Sequence, residues 1–110
     1  PAGPEVAAPE PPAASSSGSS DGMGLAVRAW DRDWGTAVEA SVSGVPGGAH
    51  CSLVAVGHDG TREVAATWLV PVQGYEGGSL SVDGGVGLRS DEVERYEVVT
   101  VEGSVLVSTG

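Results

Sequence analysis

The chain has 110 residues, 40% of them hydrophobic, with 18 glycines, 7 prolines, one cysteine and no phenylalanine. That is room for one domain with a small core, and too much glycine and proline for long helices. Fifteen acidic against five basic residues give a formal charge of −10, which disfavours binding to nucleic-acid phosphates and to anionic lipid headgroups.

Residues 1 to 22, "PAGPEVAAPEPPAASSSGSSDG", carry no apolar periodicity. A Pro/Ala/Glu half followed by a Ser/Gly half reads as a disordered linker, because it offers little surface to offset its ordering entropy. The domain is expected over residues 23–110.

From Met23 the pattern becomes period two, and valine dominates the apolar set, as strands favour. Leu25, Val27 and Ala29 share one face, and Val38, Ala40 and Val42 share another. These two strands are expected to pair around "DRDWG". The segment "GVPGG" then breaks the chain at Gly44 to Gly48. Further strands are expected at Cys51–His58, Arg62–Val70 and Ser79–Asp83. A final pair, "RYEVVTV" and "SVLVS", is joined at Glu102-Gly103. About seven short strands with frequent turns predict an all-β, Ig-like antiparallel β-sandwich preceded by the disordered tail. Ser90 is a candidate cap for one helical turn.

Asp59-Gly60 between apolar runs predicts a two-residue type I′ turn. That turn pairs His58 with Thr61, Val56 with Glu63, Val54 with Ala65 and Cys51 with Trp68. The core frame is then Cys51, Leu53 and Ala55 against Val64, Ala66 and Trp68. Cys51 becomes a buried small hydrophobe rather than a reactive thiol.

His50, Cys51 and His58 lie close in sequence but make no metal site. Two histidines eight residues apart on one strand are separated by roughly 26 Å, and Cys51 points to the opposite face. No metal and no cofactor are therefore expected. Four carboxylates between Asp91 and Glu97 are expected on a solvated polar edge. Neither a Ser-His-Asp arrangement nor a phosphate-binding glycine loop is present, and there is no lysine. Enzymatic activity is not expected. The candidate partner surface is Trp30, Asp31, Arg32, Asp33 and Trp34, where two tryptophans flank a charged turn.

The run "VSGVPGGAHCSLVAVGHDGTREVAATWLVP" resembles the extracytoplasmic C-terminal domain of actinobacterial transmembrane anti-sigma factors. The resemblance rests on Ser43 to Pro46, Gly48, Cys51, Leu53, Val54, Val56, Gly57, Asp59, Gly60, Arg62 to Ala65, and Trp68. "SDEVERYEVVTVEGSVLVS" is similar to that family's closing hairpin, and His58 stands where the family often has a basic residue. The absence of lysine, isoleucine, asparagine and phenylalanine fits a GC-rich genome. The resemblance implies a longer, single-pass membrane protein whose cytoplasmic zinc-binding part, with its HxxxCxxC motif, holds an extracytoplasmic-function sigma factor. Neither that motif nor a run of eighteen apolar residues occurs in this sequence. The implied role of this part is sensory: it would bind a protein partner or envelope signal outside the membrane, without binding the sigma factor itself, and regulated proteolysis would act on the linker. The alternative is an Ig-like module of a secreted or surface protein that binds a protein or glycan.

Overall fold

The structure, a computed structural model, describes residues 10–74 and 78–110. The described residues form eight strands: β1 (Ala14–Ser20), β2 (Met23–Arg32), β3 (Gly35–Ser43), β4 (His50–Gly57), β5 (Arg62–Leu69), β6 (Ser79–Val86), β7 (Val93–Thr100) and β8 (Val105–Ser108). They make two antiparallel four-stranded sheets, ordered β1-β2-β3-β6 and β5-β4-β7-β8. The chain crosses between sheets after β3, after β5 and after β6. From β2 onward this is the path of an Ig-like β-sandwich.

The strand at Ala14–Ser20 corrects the expected domain boundary. "ASSSGSS" has poor strand propensity, yet all seven of its residues pair with β2, from Ala14 opposite Ala29 to Ser20 opposite Met23. The reason is the turn that follows. Asp21 and Gly22 both have positive φ, 51° and 81°, as a type I′ hairpin turn requires. A strong turn next to a well-patterned strand recruits a weak partner onto its free edge. The rest of the predicted linker, residues 1–9, lies outside the described residues.

The second Asp-Gly pair behaves differently from its prediction. Gly60 has φ 89°, but Asp59 does not enter the left-handed region. Instead the Asp59 carboxylate accepts the Thr61 amide at 2.9 Å. The Gly57 carbonyl accepts the Gly60 amide at 2.9 Å, and the Thr61 carbonyl accepts the Gly57 amide at 2.7 Å. This is a three-residue loop, His58-Asp59-Gly60, closed by a glycine bulge. His58 is therefore in the loop and does not pair with Thr61. The longer loop shifts the register by one, so that Val56 faces Arg62 and Val54 faces Val64. A bulge at Leu53/Val54 then restores the predicted pairs Leu53 with Ala66 and Cys51 with Trp68.

This pair of offsets removes Val64 from the core frame. It sits on the outer face and is 58% exposed, while Cys51 and Leu53 are fully buried. Ala66 is half-buried, and Trp68 packs against the core cluster. Burial also pushes the Cys51 thiol up from its ordinary pKa. Cys51 is accordingly expected to react with a thiol-specific reagent only at the rate of global unfolding. Rapid labelling of the folded protein would contradict that placement.

The expected helical turn forms as a 3-10 turn at Ser90–Glu92, but Arg89, not Ser90, caps it. The Glu92 carboxylate accepts the Arg89 amide at 2.7 Å. Nor do all four carboxylates of the acidic run lie on a solvated edge. Glu97 is 4% exposed, and it accepts hydrogen bonds from Arg62 Nη2 and Arg95 Nε, each at 2.8 Å. Beside it on the outer face of the second sheet, Val54, Val56 and Val99 form a small separate apolar cluster.

Candidate functional site

Strand alternation assigns the outer face of the first sheet. Leu25, Val27 and Ala29 are buried, so Gly24, Ala26, Arg28 and Trp30 of β2 point away from the core. Register carries that face across the sheet. One row is Trp30, Ala37 and Gly85. The next is Ser15, Arg28, Glu39 and Asp83. Then come Ser17, Ala26, Ser41 and Ser81, and finally Ser19, Gly24, Ser43 and Ser79. One end of the face is aromatic, the middle is charged, and the rest is small and hydroxylated.

The aromatic end is built by a tight turn. β2 and β3 are joined through Asp33 and Trp34 alone, with Arg32 opposite Gly35. Trp34 is 59% exposed and its ring lies against the sheet at Gly85. A Cβ added at that glycine would stand 2.9 Å from ring atoms Cη2 and Cζ3. Trp30 is anchored from behind, its Nε1 donating to the Glu10 carbonyl at 2.8 Å. The Arg28 guanidinium lies 5.6 Å from the Trp30 ring centroid, within cation–π range, and also pairs with Glu39. On either side of Arg28 the small residues leave shallow depressions. One, of about 310 Å³, is lined by Ala26, Arg28, Glu39, Ala40, Ser41 and Ser81. The other, of about 280 Å³, is lined by Ser15 to Ser17 and Ala26 to Arg28.

The five residues proposed from sequence divide into two kinds. Asp31 and Arg32 are part of the frame. The Asp31 carboxylate accepts the Ser90 amide at 3.1 Å. Hydrogen bonds from Ser90, reinforced by the charge of Arg89, hold this carboxyl below its ordinary pKa. Arg32 donates to the Glu10 carboxylate at 3.2 Å and 3.4 Å, and its carbonyl accepts Arg89 Nη1 at 2.6 Å. These bonds tie the turn to the 3-10 segment. Trp30, Asp33 and Trp34 remain at the surface. Arg28, Glu39, Asp83 and the serines belong to the same face, although the sequence did not single them out. Their signal was serine at alternate positions in "SSSGSS", "ASVSG" and "SLSVD", which marks an outward face of small polar groups.

The histidines are kept apart. His50 begins β4, and His58 lies in the loop at the strand's other end, where its amide donates to the Glu92 carbonyl at 3.0 Å. Among the described residues, no group of three His, Cys, Asp or Glu side chains is placed to hold a metal ion. No helix in them is long and apolar enough to cross a membrane.

Compared with protein-family models, with curated proteins and with solved structures, the chain finds no match in any of the three.

Proposed function

We propose that this chain is the extracytoplasmic domain of a single-pass membrane anti-sigma factor. In this reading it is a non-enzymatic β-sandwich that binds an envelope partner or signal and thereby governs release of an extracytoplasmic-function sigma factor. Release would proceed through site-specific cleavage of the segment linking the domain to the membrane. The observation that supports it is where the family-like run falls. Gly44, at φ 76°, ends β3, Val45 is buried at the crossover between sheets, and Cys51 and Leu53 are fully buried in β4. Gly60 closes the β4–β5 hairpin, and Trp68 packs on the core. These residues build the frame, so a frame shared with that family can carry a different outward face in each member.

A second reading is an Ig-like module of a secreted or surface protein. It is favoured by Trp34, a large ring left exposed beside hydrogen-bonding groups, as at protein and ligand recognition sites. Both readings make this a binding domain, and the upstream gene sequence separates them. A membrane span preceded by HxxxCxxC agrees with the first; a plain signal peptide excludes it. Mixed with the purified sigma factor, residues 10–110 are expected to show no binding, and micromolar or tighter binding would overturn the division of labour proposed here.

A further inference from the structure

We propose that the outer face of the first sheet binds a neutral saccharide chain, with Trp34 as its stacking end and Trp30 beside it. The proposal rests on the reading of this chain as a binding domain and names the ligand class and the surface. Four features support it.

The first is the pair of indoles at one end of an otherwise flat face. An indole presents a broad apolar surface with a polar edge and loses little conformational entropy on binding. The C–H face of a pyranose is the matching shape. Trp34 is seated against Gly85, where a larger residue would lift the ring off the sheet. Trp30 braces this end, fixed through its Nε1 bond to Glu10 and with the Arg28 guanidinium over its ring. The stacking surface is thus preorganised, which lowers the cost of binding.

The second is the row next to the indoles. Arg28, Glu39 and Asp83 stand side by side across three strands. Arg28 supplies donors only, whereas the two carboxylates supply acceptors only. A polyol has hydroxyls that satisfy both kinds in close succession. Asp83 is exposed and has no cationic partner among the described residues.

The third is the space beyond that row. Ser17, Ala26, Ser41 and Ser81 cross the sheet with no large side chain among them, which gives the two depressions that flank Arg28. The serine row gives a track of roughly 14 Å across four strands spaced about 4.8 Å apart, and it lies roughly 13 Å from the indole row, four residues away along β2 at about 3.3 Å each. That suits a short oligosaccharide rather than one sugar. A hydrophobic protein surface would find almost nothing apolar to bury along this track.

The fourth is charge. Glu39 and Asp83 outnumber Arg28 on the face, and the whole chain is at −10. Uronic-acid and phosphate-bearing polymers are repelled, so the charge favours a neutral chain.

The test is titration of residues 10–110 with neutral hexaoses of glucose, mannose, galactose and arabinose, followed by tryptophan fluorescence and calorimetry. At least one is expected to bind, and Trp34→Ala should weaken it about tenfold or more. Ser81→Arg, which fills the track without touching the core, should weaken it as well. Circular dichroism of both variants should match the parent. The proposal is overturned if none of the four binds at millimolar concentration, if binding survives both substitutions, or if an oligouronate binds more tightly than its neutral counterpart. Failure here leaves the sigma-factor and gene-sequence tests standing, and failure of those leaves saccharide binding intact.

Discussion

Replacing Arg62 and Arg95 together by alanine is expected to cost about 2–3 kcal/mol of folding stability, from charge-assisted hydrogen bonds lost by a carboxylate that the truncations then open to water. Glu97 is 4% exposed on the second sheet, and both arginines donate to its carboxylate. Either single substitution leaves one partner in place and should cost much less. Glu97→Val removes the charge itself and extends the cluster of Val54, Val56 and Val99. That variant is expected to be as stable as the parent or more stable, because a well-packed apolar residue often equals a buried ion pair. Urea denaturation of the parent and the four variants at neutral pH distinguishes these outcomes.

The same carboxylate gives the domain an acid limit. Burial alone would raise the Glu97 pKa, but the hydrogen bonds and charges of Arg95 and Arg62 outweigh it and hold the group below its ordinary value. A group depressed in the folded state stabilises above its unfolded pKa, about 4.3 for glutamate. That contribution disappears as pH falls through the folded value. The parent should therefore lose more stability than Glu97→Val between pH 5 and pH 3. Equal losses would mean that Glu97 titrates as an ordinary surface acid.

Gly84→Val is expected to cost about 3 kcal/mol, the upper part of the range for overpacking. The two sheets close on each other at both edges through a glycine. Gly84 of β6 meets β5, where an added Cβ would stand 2.2 Å from the Ala65 carbonyl oxygen. Gly18 of β1 meets β8, where an added Cβ would stand 1.9 Å from the Ser108 carbonyl oxygen. In both places the obstacle is backbone, which cannot rotate away as a side chain does. The costs differ because the strands differ. β6 is held between β3 and the opposing edge strand and cannot leave without opening the core. β1 is an edge strand of serine, alanine and glycine with no fully buried side chain, so Gly18→Val can be relieved by undocking it. Hydrogen exchange should show protection lost in residues 14–20 alone for Gly18→Val, and across both sheets for Gly84→Val. Identical patterns would contradict this account of the edges.

Strand alternation made most of the fold readable. Leu25, Val27 and Ala29, like Val38, Ala40 and Val42, are apolar at every second position, and all six are buried. β1 was not readable because its residues carry no apolar alternation, so the evidence for it lay in Asp21-Gly22 rather than in the strand. Val64 was misplaced because Asp-Gly supports two loop lengths. The choice between them depended on whether the aspartate side chain would accept the Thr61 amide, a local bond that no hydrophobic pattern encodes. Glu97 was assigned to solvent because its two arginine partners come from different strands, one of them 35 residues away. The two tryptophans at the end of the first sheet's outer face were visible at once. The flat track beside them required the register of four strands, and register depends on turns and bulges rather than on composition.

The most direct test of the proposed anti-sigma reading uses the whole gene product in its own cells, with output read from a promoter served by the sigma factor that the reading requires. If that reading holds, deleting residues 14–110 should leave the sigma factor held by the part that precedes them, and the promoter should no longer respond to the envelope conditions that induce it through the intact protein. An unchanged response in the deletion strain would contradict the assignment of this domain as the extracytoplasmic regulatory half of an anti-sigma factor.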